Sequence, residues 1–79
     1  MLTGRQIRAA RAIIGWSLHN LSERSGVSTR TLMRLEAIDD IAPSRSQTLL
    51  AIREAFEAAG VEFIGTPSEN PGVRMKMKR

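Results

Sequence analysis

Apolar side chains recur at helical spacing through residues 1–60 and at strand spacing through residues 61–79. Ile7, Ala10 and Ile14 fall at i, i+3 and i+7; with Thr3 placed to cap them and Gly15 to stop them, they predict a first helix over about Gly4–Ile14. Leu18 and Leu21 belong to a second helix that starts at Ser17, and Gly26 supplies the positive-φ residue that ends it near Ser25. Ser28 caps a third, running to about Ile38, in which Leu32, Leu35 and Ile38 form one apolar stripe while Thr29, Arg30, Met33 and Arg34 face elsewhere. Asp39, Asp40, Ala42 and Pro43 read as a loop. Ser44 or Ser46 then caps a fourth helix reaching about Ala59, with Leu49, Ile52, Ala55 and Phe56 inward and Gly60 at its close. Val61 and Phe63, then Val73, Met75 and Met77, alternate with polar residues on either side of the turn-rich TPSENPG, which predicts a β-hairpin. The expected fold class is mainly α, four helices over residues 1–60 followed by a C-terminal hairpin over 61–79.

Charge sharpens this picture by its location. Residues 1–36 carry six Arg against Glu23 and Glu36, residues 37–59 carry Arg45 and Arg53 against four carboxylates, and residues 60–79 carry Arg74, Lys76, Lys78 and Arg79 against Glu62 and Glu69. The net charge of +4 therefore sits at the two ends, which favours a polyanionic partner. Two helices joined by a short turn containing Gly, the second exposing short polar and basic side chains at its start, describe a helix-turn-helix. In LSERSGVSTRTLMRLE, Leu21–Glu36, the second helix is the one to enter a DNA major groove, where Arg donates two hydrogen bonds to guanine. Thr29, Arg30 and Arg34 are the side chains aimed at bases; Ser17, Ser28, Thr31 and Arg45 join them as candidate contacts to DNA.

Together with RAARAIIGWS and SQTLLAIREAFEAAGVEFI, that segment resembles the Cro/C1-type (XRE-like) helix-turn-helix family of transcriptional regulators over about three quarters of the chain. The resemblance implies a lambda-repressor-like helical domain that docks its second and third helices on DNA, usually as a symmetric dimer on a palindromic operator. It also implies that Arg11 and Glu36 match the family's paired Arg and Glu, tying the first helix to the end of the third. If the two are partly buried, guanidinium and carboxylate satisfy each other. Four positions depart from the family pattern. Leu18 stands where a Gln often braces a phosphate, Ser22 stands where a small Ala is usual, and Asp39 and Asp40 put negative charge in a loop that often holds the DNA backbone.

Other classes find little support. With 79 residues the chain is one small domain, and folding buries only about 60% of the unfolded surface, so a partner subunit is a plausible aid. No Cys and a single His, His19, leave no disulfide or metal site, and no cofactor is implied. With no Tyr and no glycine-rich phosphate loop the inventory for an enzyme is too thin, and the three aromatics, Trp16, Phe56 and Phe63, are expected in the core rather than on an RNA-stacking platform. Trp16 is expected between the first two helices, and His19 in solvent. No apolar run suits a signal peptide or a membrane span, so a cytoplasmic, nucleoid-associated protein is expected. A two-stranded ribbon needs something to lie on; a second subunit meeting Val61, Phe63, Ile64, Val73 and Met75 across a two-fold axis would supply it. The hairpin can instead pack on its own fourth helix, and MKMKR can instead be a basic tail. The function expected is a sequence-specific DNA-binding regulator, most simply a repressor acting as a homodimer. The alternative is an antitoxin-like module that neutralises a toxin-like protein partner and also binds its own promoter.

Overall fold

Each of the first three helices begins where a side-chain oxygen takes up a backbone N–H that the helix leaves unpaired. In the computed structural model, which describes residues 2–76, Thr3 caps α1 (Gly4–Ile14): its Oγ1 accepts from the Gln6 N–H while Gln6 Oε1 accepts from the Thr3 N–H, both at 3.0 Å. The same reciprocal box, Ser17 with Asn20, opens α2 (Leu18–Ser25), and Gly26 at φ 76° closes it. Ser28 caps α3 (Thr29–Glu36) by accepting from the Thr31 N–H at 3.2 Å.

The apolar stripe predicts that α3 runs to Ile38, but it ends two residues sooner. Its last carbonyl is claimed from outside the helix: Arg8 Nη1 donates to the Glu36 carbonyl, and the chain beyond joins the N-terminal segment through Gly4 N–H to Asp40 O at 3.1 Å and Ala42 N–H to Leu2 O at 2.9 Å. This Thr3–Ile41 bridge draws the backbone out of helical register. Gly4 is required here, since a Cβ would stand 1.9 Å from the Ile38 carbonyl oxygen and 2.2 Å from that of Leu35. The start of α4 (Ser46–Ala58) also differs from expectation. Neither Ser44 nor Ser46 caps it; Arg45 holds the cap position and its side chain makes no capping bond.

The hairpin pairs β1 (Val61–Thr66) with β2 (Glu69–Met75), antiparallel, Val61 opposite Met75 and Phe63 opposite Val73. Its turn is shorter than TPSENPG suggests. Only Pro67 and Ser68 turn, because a register shift at Gly65, which sits at φ 73°, with Asn70 at φ 50°, lets Glu69–Gly72 remain in the strand. Met77, Lys78 and Arg79, expected to continue that strand or to form a basic tail, lie outside the described residues.

One core joins all six elements. Leu2, Ile7, Ala10, Leu21, Leu32, Leu35, Ala42, Leu49, Ile52, Phe56 and Val61 are buried in it. Phe56 is its aromatic centre. Trp16 stacks on it at 5.3 Å between ring centroids, so the Trp expected between α1 and α2 is half-buried against α4, and Phe63 meets it edge-on at 5.8 Å. The hairpin lies on its own chain, β2 against α1 and β1 against α4. Gln6 Nε2 fastens it by donating to the Gly72 carbonyl at 3.1 Å. The face expected to meet a second subunit is therefore covered: Val61 is buried, Phe63, Val73 and Met75 are half-buried on the core, and only Ile64, at 39%, is exposed. Among the described residues, no helix is long and apolar enough to cross a membrane.

Candidate nucleic-acid interface

The surface of interest is built from α2, the Gly26–Ser28 turn and α3. Leu32, Leu35 and Glu36 are buried, which fixes the rotation of α3 and leaves Thr29, Arg30, Met33 and Arg34 exposed on the other side. At a rise of about 1.5 Å per residue its eight residues span about 12 Å, comparable with the width of a B-DNA major groove. The turn is stiffened locally. Ser25 Oγ donates to the Leu21 carbonyl at 2.7 Å and accepts from the Val27 N–H at 3.2 Å, and Val27 packs against the core.

The expected contact residues divide by what already occupies them. Thr29 and Arg30 are exposed at the start of α3, and Arg30 has no carboxylate partner among the described residues. Thr31 is half-buried, its Oγ1 accepting from Ser28 Oγ at 3.0 Å, so both hydroxyls serve the cap. Ser17 likewise spends its hydroxyl on the Asn20 N–H. Arg34 is exposed, but its Nη1 donates to the Pro43 carbonyl at 3.2 Å, two residues before the exposed Arg45. Arg34 thus ties the loop leading to α4 against α3.

The platform beneath is held by Arg11 and Glu36. Arg11 Nε and Nη2 donate to the two Glu36 carboxylate oxygens at 2.7 and 2.9 Å, and Nη1 donates to the Trp16 carbonyl at 3.0 Å. The hydrogen bonds to Glu36 raise the Arg11 pKa above its ordinary value. Because the Glu36 side chain is only 8% exposed, this fork fixes the end of α3 to α1 and to the α1–α2 corner.

Asp39, expected to repel phosphate, is engaged elsewhere. Arg8 at 2.6 Å and Arg5 at 3.3 Å bind its carboxylate and lower its pKa, so its charge is balanced beside α1. Asp40 accepts from the Ile41 N–H. Two further arrangements went unseen in the sequence: Gln6 bridging the first cap to the hairpin, and the Arg24 guanidinium standing over the Trp16 ring at 5.2 Å. The Thr3–Gln6 spacing is a capping-box signal that could have shown half of the first; nothing local points to the second. No cluster of three or more potential metal-ligating side chains occurs among the described residues. The chain matches no family model and no curated protein.

Proposed function

We propose that the chain is a Cro/C1-type, lambda-repressor-like DNA-binding regulator that reads the major groove through α3, most simply a repressor acting as a homodimer on a palindromic operator. The observation that carries this reading is the division of α3 into a buried apolar side and an exposed Thr29, Arg30, Met33 and Arg34 side, on a helix braced from behind by the Arg11–Glu36 fork. Arg30 is the base reader, free to offer two donors to a guanine edge. Arg34 divides its guanidinium between the Pro43 carbonyl and DNA, so it sets the pose of the α3–α4 loop and meets a phosphate. Arg45 and the first backbone N–H groups of α2 and α3 supply further phosphate contacts.

The test is a fluorescence-anisotropy titration against the duplex just upstream of the chain's own gene and a scrambled duplex, at two salt concentrations. The reading expects a saturable preference for the first, lost in Arg30→Ala. Weak and equal binding to both, falling steeply with salt, would leave only non-specific charge attraction and overturn it.

A further inference from the structure

Met33 shares the exposed side of α3 with Thr29, Arg30 and Arg34 but has no hydrogen-bond donor to offer a base or a phosphate. It is 59% exposed, more than any other large apolar residue among those described. It belongs neither to the core nor to the half-buried side chains packed against it, so the fold makes no use of its apolar surface. Lone apolar residues on a surface are ordinary, and position gives this one its meaning. Around a helix turning about 100° per residue, Met33 lies between Thr29, about 40° away, and Arg30, about 60° away. An apolar group therefore stands within the polar side that Leu32, Leu35 and Glu36 turn outward.

The DNA major groove presents one projecting apolar group, the C5-methyl of thymine; the features that mark the other base edges there are hydrogen-bond donors and acceptors. A methionine side chain, unbranched and polarisable, adapts readily to such a methyl. Along the helix axis Met33 is about 4.5 Å from Arg30, and base pairs are stacked about 3.4 Å apart, so the two side chains meet the same stretch of groove.

We infer that Met33 is a second specificity-determining residue of α3, covering the C5-methyl of a thymine within about two base pairs of the guanine that Arg30 reads and so selecting an A·T pair at that position. This rests on the proposed reading of the major groove by α3, and the experiment is arranged so that the two fail differently.

The full chain selects from a random duplex pool as wild type, Met33→Ala, Met33→Leu and Arg30→Ala. Circular dichroism is expected to stay native in both Met33 variants, because the residue packs on nothing in the core and Ala and Leu both suit a helix. The wild type is expected to enrich a thymine beside the Arg30-dependent guanine. Met33→Ala should lose the thymine and keep the guanine, while Met33→Leu keeps both. On the enriched duplex, deoxyuridine in place of that thymine removes only the methyl; it should weaken the wild type about fourfold per substituted half-site and Met33→Ala by less than about 1.5-fold. At the same position 5-methylcytosine should bind the wild type better than cytosine by a similar factor. A motif that keeps the Arg30-dependent guanine but shows no thymine preference, or one that Met33→Ala selects unchanged, would overturn this inference and leave α3 as the reader. So would deoxyuridine binding the wild type as tightly as thymine. Enrichment of no motif, or of one that neither Arg30→Ala nor Met33→Ala alters, would overturn the reading of DNA by α3 as well.

Discussion

Arg11→Met and Glu36→Gln break the same ion pair and are expected to differ in cost, and the difference follows from burial. Removing Arg11 strands a carboxylate that is 8% exposed and takes both of its charged donors; a buried charge deprived of its partner costs about 3–5 kcal/mol. Removing the charge of Glu36 leaves an Arg11 side chain that is 24% exposed and still donates to the Trp16 carbonyl, so water and that bond absorb much of the loss, and about 1–2 kcal/mol is expected. At roughly 0.05–0.15 kcal/mol per residue the whole fold is worth about 4–12 kcal/mol, so Arg11→Met should remove about a quarter of it or more. Replacing both at once, Arg11→Met with Glu36→Leu, should cost less than Arg11→Met alone because no charge is left stranded. Urea denaturation followed by Trp16 fluorescence measures all three, the midpoint moving at constant slope if only stability has changed. A cost below about 1 kcal/mol for Arg11→Met, or a larger one for Glu36→Gln, would refute the reasoning.

Gly4→Ala should destabilise the fold by about 3 kcal/mol, measured by the same denaturation, because its Cβ meets two backbone carbonyls that flexible side chains cannot relieve. Gln6→Leu removes both the reciprocal cap bond and the tie to Gly72; it should cost about 2 kcal/mol and raise hydrogen exchange in the hairpin before it does so in α3. Asp39 titrates below the usual carboxylate range because Arg8 and Arg5 hold its charged form; a depressed folded pKa gives stability present above the unfolded pKa and lost as pH falls through the folded one. Asp39→Asn should therefore remove part of the acid-side decline in stability and leave the neutral-to-alkaline range flat, as a denaturation series over pH will show.

The helix starts and stops that depend on neighbours in sequence were readable, and those that depend on distant backbone were not. Thr3, Ser17 and Ser28 each act within three residues, and Gly15 and Gly26 provide the left-handed exits of α1 and α2, so the bounds of those two helices follow from local chemistry. The early end of α3 depends on Arg8, Leu2 and Gly4, more than thirty positions away in the chain for most of its bonds, and the short hairpin turn depends on a bulge at Gly65 that alternation alone does not reveal. The same division runs through the candidate site. Which side of α3 is exposed could be read from Leu32 and Leu35, but not that Thr31 would be absorbed into the cap or that Arg34 would hold Pro43. Trp16 was legible as an aromatic with a packing role, and its partner was not, since stacking on Phe56 needs α4 folded back from forty positions along the chain.

The most direct test of DNA reading by α3 is selection from a random duplex pool by the wild type and by Arg30→Ala, at matched salt. The account predicts one enriched two-fold motif for the wild type, its half-sites about 10 base pairs apart, with the variant losing preference at one position in each half-site while keeping the others. Enrichment of no motif, or of one that Arg30→Ala selects unchanged, would contradict it.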